Sequence, residues 1–244
     1  MGKLSSLDLT RSWDQETTLI ADFIKKQSRS ESPIRILEAG CGQKWGINLQ
    51  GTPYVLTGVD LDEDALKIRM NKLRDLNEII VGDLRTVQLN SDAFDVIFCS
   101  YVLEHVLDAE SVLKNFVKWL KPGGIMILQI PDPYSVKGFV TRVTPHWFHI
   151  FYYRHIEGLK QAGEPGYAPY KTHYDVVVSR RGMRKFCQDN HLQVKAEYGT
   201  GGYRTYGRRL LGGLIRFVMS GTQLITLGRL SAAHDDLLYI VEKL

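Results

Sequence analysis

Three acids stand where three apolar runs end. Glu38 follows Ile34-Arg35-Ile36-Leu37, Asp60 closes Tyr54-Val55-Leu56-Thr57-Gly58-Val59, and Asp83 follows Glu78-Ile79-Ile80-Val81-Gly82. Two glycines, Gly40 and Gly42, come just after the first acid. Short apolar runs bounded by turn residues read as buried parallel strands. Glycines directly after such a strand let the backbone turn tightly and let a ligand come close. In an open α/β sheet this is where a nucleotide-like cofactor binds, at the carboxyl ends of the strands. Asp60, about 20 residues beyond Gly40, is placed to accept hydrogen bonds from ribose hydroxyls. Asp83 is placed to take an adenine amino group. Each acid read alone could equally cap a helix or sit in solvent. Three in consecutive units argue for a site.

A second set of residues could move protons. Ser100-Tyr101-Val102-Leu103-Glu104-His105 follows a fourth apolar run, Phe94-Asp95-Val96-Ile97-Phe98-Cys99. Histidine titrates near neutrality, so His105, His146, His149, His155 and His173, with Tyr174, are the candidate bases. Structural hydrogen bonds and packing in a cap compete with that role at each of them. One carboxylate and one histidine, Glu104 and His105, make a poor divalent site, and no metal is expected.

A nicotinamide-binding domain needs G-x-G-x-x-G at the opening of a helix. The loop here is Gly40-Cys41-Gly42-Gln43-Lys44-Trp45-Gly46, with the last glycine one residue late. It also has an acid, Glu38, ahead of the first glycine.

The elements that hold these residues follow from periodicity. Residues 13 to 26 read as a leading helix, with Leu19, Ile20, Phe23 and Ile24 at helical spacing and Asp14 as N-cap. Asp62 to Leu76 reads as a charged amphipathic helix with Leu66, Met70 and Leu73 among its apolar positions. Ala109 to Leu120 reads as another, stopped by Lys121-Pro122-Gly123-Gly124. A fifth strand spans 125–130, a helix capped by Ser179 runs to Cys187, and further strands span 193–198 and 237–241. Strands alternating with helices imply a largely parallel sheet.

With these pieces in place, the chain resembles the class I S-adenosylmethionine-dependent methyltransferases. The resemblance rests on Leu37-Glu38-Ala39-Gly40-Cys41-Gly42, Gly58-Val59-Asp60-Leu61-Asp62, Gly82-Asp83-Leu84, Phe94-Asp95-Val96-Ile97, Val102-Leu103-Glu104-His105-Val106 and Leu120-Lys121-Pro122-Gly123-Gly124, in that order. It implies an α/β, Rossmann-like three-layer sandwich whose seven-stranded, mostly parallel sheet has a late antiparallel strand. It also implies S-adenosyl-L-methionine as cofactor. Glu38, Gly40, Cys41 and Gly42 then lie near the methionine moiety, Asp60 and Leu61 at the ribose, and Asp83 and Leu84 at the adenine. Ser100 and the residues after it then face the methyl-transfer site. A third glycine, frequent in the family two positions after Gly42, is replaced here by Lys44.

Two stretches fall outside that pattern. Residues 131–174, after the fifth strand, are rich in aromatics and read as a lid. The run Thr144 to His155 suits either an apolar acceptor pocket or packing under a cap. Residues 199–231, between the sixth and seventh strands, carry Arg204, Arg208, Arg209, Arg216 and Arg229 and no acid. Leu210, Leu211, Leu214, Phe217 and Val218 give this stretch an apolar face at helical spacing, so it reads as a helical insertion. A basic amphipathic segment of this kind, 204–229, can lie on an anionic membrane, cover the acceptor pocket or form a homodimer contact.

The bulk numbers restrict function less. The 244 residues suffice for one methyltransferase domain, 1–244, with lid and insertion. A net charge of +4 is too small to argue for nucleic acid. Three scattered cysteines, Cys41, Cys99 and Cys187, suit a reducing cytoplasm, and the N-terminus lacks the apolar core of a secretory signal. The expected function is methyl transfer to a small, apolar or lipid-like acceptor, at oxygen. The alternatives are a cofactor-binding interaction module without catalysis, or a protein or RNA methyltransferase.

Overall fold

The computed structural model describes residues 7–28, 32–155, 158–164, 167–173, 175–201, 221–222, 224–227 and 229–244. Their strands are β1 (Asp8–Leu9), β2 (Ile34–Ala39), β3 (Tyr54–Asp60), β4 (Glu78–Val81), β5 (Phe94–Ser100), β6 (Leu120–Pro131), β7 (Leu192–Thr200) and β8 (Asp236–Lys243). They form one sheet in the order β1-β7-β8-β6-β5-β2-β3-β4. All neighbours are parallel except those of β8, which runs antiparallel to β6 and β7. The sheet thus has the expected Rossmann-like character with one strand more than the expected seven. The extra strand, β1, pairs Asp8 with Tyr198 and Leu9 with Gly199 at the edge. Two residues leave no periodic signal in a sequence.

Alternation of side chains across the pleat splits each central strand between two cores. Ile34, Ile36, Val96, Phe98, Ile125, Ile127, Leu238 and Ile240 face one. Leu37, Ala39, Ile97, Cys99, Met126, Leu128, Leu237, Tyr239 and Val241 face the other. Helix α1 (Trp13–Lys25) covers the first face with Ile20, Ala21 and Ile24. Helix α3 (Ala109–Trp119, after α2) covers the second with Val112, Leu113, Phe116 and Trp119, joined by Met183, Phe186 and Cys187 of a later helix. These strands are buried on both faces, which is why they read as near-continuous apolar runs.

The N-cap of α1 is Ser12, not Asp14. The Ser12 hydroxyl accepts the Gln15 amide, while Asp14 sits in the first turn, where a negative charge suits the helix dipole. Helix α2 (Glu63–Ile68) is capped by Asp62 and passes into a π-helical turn, Arg69–Leu73, closed by Arg74 at φ 54°. It is therefore shorter than the expected helix to Leu76. Met70 and Leu73, read among its apolar positions, are exposed, and Ala65, Leu66 and Arg69 are buried. The Lys121-Pro122-Gly123-Gly124 stop ends α3 at Trp119, as expected. It also forms a bulge inside β6: Phe94 pairs with Leu120 and Val96 with Ile125.

The connection from β2 to β3 has no helix. Ile47 and Leu49 fill the space beneath α1, and the Trp45 ring meets Phe98 edge-on at 5.5 Å. The lid contains α4 (Val136–Val143) and α5 (His146–His155). A later helix, α6 (Arg180–Asp189), is capped by Ser179 as expected. Most of the arginine-rich stretch, residues 202–220 with Arg204, Arg208, Arg209, Arg216 and the apolar face from Leu210 to Val218, lies outside the described residues. Where the chain is described again, Leu230 packs on Val136 and Phe139. Among the described residues no helix is long and apolar enough to cross a membrane.

Candidate functional site

The strand order reverses between β2 and β5: β2 continues to β3 on one side and meets β5 on the other. Such a switch point opens a crevice at the carboxyl ends of the strands. Gly40, Cys41 and Gly42 leave β2 there, and Ser100 to His105 leave β5.

Gly40 has φ +70°, and a Cβ on it would stand 2.2 Å from a Val102 methyl. The glycine therefore serves both the left-handed backbone and the close approach of the β5 turn. Gly42 has φ +53° and open space where a side chain would project. Its amide donates to Asp60 Oδ2 (2.8 Å), and the Asp62 amide donates to Asp60 Oδ1 (2.9 Å). Asp60 thus clamps the glycine loop to the end of β3. A carboxylate has about four lone-pair sites, so each Asp60 oxygen keeps capacity for a further donor. Leu61 beside it is exposed.

Glu38 does not face solvent. Arg69 Nη2 donates to Glu38 Oε2 (2.8 Å), Nε to Asp75 Oδ1 (2.8 Å) and Nη1 to the Cys41 carbonyl (2.8 Å). Arg69 is fully buried. Burial pushes the Glu38 carboxyl up, to about 7, against the pull of Arg69. The two salt bridges and the carbonyl bond brace the loop that Gly40 and Gly42 shape. Sequence reading missed Arg69, although a charged residue three positions beyond Leu66, on the buried stripe, was the available signal. Cys41 is buried and its thiol is pushed up to about 12, chiefly by desolvation, so it is no nucleophile.

Asp83 accepts from the Arg85 amide (2.9 Å) and from the Arg85 guanidinium, which hold its carboxyl below the usual range. Leu84 is buried in the core, and its carbonyl accepts from Asn115 Nδ2 (2.9 Å). Ser100 Oγ donates to Gln129 Oε1 (2.7 Å), and Gln129 Nε2 donates to Glu16 Oε1 (2.5 Å) on α1. A buried polar chain thus crosses three elements to reach the end of β5.

The turn after β5 is built on Tyr101, at φ +56°, a conformation uncommon for a bulky residue. Its hydroxyl donates to Asp236 Oδ2 (3.0 Å). The 3₁₀ turn Leu103–His105 follows. The strap 167–173 returns from the lid across it: the His173 amide donates to the Glu104 carbonyl (2.6 Å), and the Tyr170 ring meets His105 edge-on at 5.7 Å. His105 Nδ1 lies 2.9 Å from the Lys171 carbonyl. A carbonyl only accepts, so Nδ1 carries the hydrogen and Nε2 keeps its lone pair. Nε2 is 3.8 Å from Glu104 Oε1. Burial lowers the His105 pKa, which leaves the ring neutral at neutral pH.

Glu104 is buried, and its Oε2 has no hydrogen-bond partner among the described residues. Desolvation, then repulsion from Asp236, pushes its carboxyl from 4.5 to about 8. Its folded-state pKa is raised, so its stabilising effect is full below 4.5 and is lost as pH rises to about 8. Glu104→Gln, which does not titrate, is therefore expected to gain stability on wild type by a few kcal/mol, on the order of the pKa shift, across that window. Denaturant midpoints of the two proteins against pH check this; a difference that stays constant with pH would contradict it.

Of the other candidate bases, His149 Nε2 lies 2.6 Å from Thr144 Oγ1, and its ring lies 6.1 Å from His146. These partners are local to α5. The His155 ring packs on Phe151 at 4.7 Å. Tyr174 lies outside the described residues. The structure thus brings His105 and His173 together with Glu104 and gives His149 a separate, local setting. Gln129 and Asp236 were not singled out as site residues from sequence, and Tyr101 and Glu104 were read only as part of the stretch after the fourth strand. A separate open cavity of about 480 Å³, between α1 and residues 46–51, shares no residue with this group.

Comparison with known proteins agrees with the geometry. Residues 12–195 match the model of a family described as a methyltransferase domain. A ubiquinone/menaquinone biosynthesis C-methyltransferase of Shewanella sediminis is 34% identical over 94 residues, 35% of this chain and 37% of that protein. A ubiquinone biosynthesis O-methyltransferase of Bordetella bronchiseptica is 33% identical over 140 residues, 50% of this chain and 56% of that protein. The chain thus spans about half or less of these relatives' lengths. An S-adenosylmethionine-dependent methyltransferase from Mesorhizobium loti has a similar fold, with a TM-score of 0.53 at 14% identity over 91% of this chain and 96% of that one. With a family match over most of its length and the strand order that goes with it, the chain belongs to the methyltransferase-domain family, among the class I S-adenosylmethionine-dependent methyltransferases.

Proposed function

We propose that this enzyme methylates a hydroxyl oxygen of a small, apolar or lipid-like acceptor, with His105 as the base. The strand-end residues fit the cofactor: Gly42 leaves open space for a close ligand, and Asp60 keeps acceptor capacity for ribose hydroxyls. Asp60 and Leu61 would hold the ribose end, Asp83 and Leu84 the adenine end, and the loop from Glu38 to Gly42, with Ser100, the methionine end. Bound there, S-adenosylmethionine supplies a methyl group on a positively charged sulfur, already activated for transfer. The protein then has to position the acceptor and, for a hydroxyl, take its proton.

The single observation that carries this reading is the Lys171 carbonyl on His105 Nδ1, which leaves Nε2 as the free proton acceptor beside Glu104. A cation formed on Nε2 would lie 3.8 Å from the Glu104 carboxyl, which burial holds protonated at neutral pH, and would draw that carboxyl toward its charged form. The relatedness to quinone methyltransferases supports an apolar acceptor. A second reading, an amine acceptor, draws on the buried Asp132 and Asp236 carboxyls, which suit a cation. Transfer from labelled cofactor to a panel of apolar phenols and alcohols, apolar amines, and hydrophilic alcohols separates them. Apolar hydroxyl compounds are expected to be labelled. Labelling confined to the amines supports the second reading, and labelling confined to hydrophilic acceptors refutes both.

A further inference from the structure

Helix α5 has ten residues and buries none of them. One side is tied to the protein. Ile150 lies 2.8 Å from where a Cβ on Gly163 would stand, the Tyr153 carbonyl accepts the Leu159 amide (2.9 Å), and Arg154 Nε donates to the Ala162 carbonyl (2.7 Å). The other side presents Trp147, Phe148, Phe151 and Tyr152 to solvent, with Trp147 67% exposed. Residues at this spacing share one face of a helix. Val140 and Val143 are exposed just before it. Leu224, Ile225 and Leu227 are also exposed, and the chain beyond them returns to α4, where Ser231 bridges to Ser135. Exposed apolar side chains are thus found on the lid and, separately, on the described end of the insertion. Such patches mark interaction surfaces.

The charge around this face chooses among occupants. Between Asp132 and Glu157 the sequence has no acid. Lys137 is turned to Asp235 (3.5 Å). Arg142 lies over the Tyr134 and Phe139 rings (5.9 and 5.8 Å), and Arg142, Arg154, Lys160 and Arg229 are exposed. A second copy docked on this face would set these cations against their own kind, which disfavours it. An anionic lipid surface complements them, and Trp and Tyr settle at the membrane–water boundary because each ring has an apolar body and a polar edge.

We propose that α5, with the exposed Val140 and Val143 just before it, docks the enzyme on an anionic lipid surface, the rings among the headgroups and the arginines on the lipid charges. The test is co-sedimentation with phosphatidylcholine vesicles and with vesicles that also contain phosphatidylserine, for wild type and Trp147→Ser/Phe151→Ser. Both side chains are exposed, so the double variant should keep the wild-type melting temperature. Wild type is expected to bind the anionic vesicles, less so when salt is raised from about 0.1 M to 1 M. The double variant is expected to bind roughly tenfold more weakly. Absence of binding, equal binding to both vesicle types, or a wild-type dimer that the double variant abolishes would each overturn the proposal. The measurement needs neither acceptor nor turnover, so its outcome is independent of the acceptor class.

Discussion

Arg69→Met loses about 3–5 kcal/mol of stability, the expected cost of removing one partner from a buried charge network. The substitution leaves Glu38 and Asp75 facing a hydrocarbon, and Glu38 is 95% shielded from water. It also removes the donor that holds the Cys41 carbonyl, so the glycine loop loses its brace from the π-helical turn after α2. The loss should shrink on acidification, because an unpaired Glu38 carboxyl that burial has already pushed up to about 7 accepts a proton and ceases to be a buried charge. Arg69→Met/Glu38→Gln should recover part of the stability at neutral pH, since the pair is then replaced by neutral groups. Denaturant midpoints of wild type, both single variants and the double variant form the cycle that measures this. A loss under about 1 kcal/mol in Arg69→Met would show that the network is only a surface-type ion pair.

His105→Gln reduces kcat by about 10²–10⁴, the usual contribution of a positioned base. Glutamine keeps an amide N–H but has no basic nitrogen, so the proton acceptor is lost without introducing a charge. Binding of the cofactor product, measured by calorimetry, should therefore be unchanged. The wild-type rate should fall on the acid side, at a pH below the ordinary histidine range, because burial lowers the His105 pKa. The variant should lack that limb. Unchanged kcat in His105→Gln, or an acid limb that persists in it, would assign proton transfer to another group, with His173 the next candidate by position.

Both predictions turn on contacts that the sequence does not display. Arg69 lies on a helix whose apolar positions suggest a different buried face, and the π-helical turn after Ile68 is what accompanies the inward arginine. Glu38 was legible as an acid at a strand end, but its neighbour is 31 residues away in the chain. His105 was legible as a histidine after a strand. Its tautomer is set by a backbone carbonyl 66 residues later, in a strap whose aromatic composition said nothing about register. The arginine-rich stretch, whose composition suits a membrane surface, a cover for the acceptor pocket or a homodimer contact, has its centre outside the described residues. The described aromatic surface is on α5, which shows no amphipathic periodicity because its inward face is also partly polar.

The sequence by itself determined the strand–glycine–acid units and the largely parallel character of the sheet, and through its resemblance the cofactor class. Those are local features: a buried parallel strand writes itself as an apolar run, and the turn after it needs glycine where the backbone is left-handed. Only the tertiary structure decided which charges neutralise one another, which nitrogen of His105 carries the proton, and which lid residues stay exposed. Those outcomes depend on desolvation and on contacts between distant segments, and neither leaves a periodic trace along the chain.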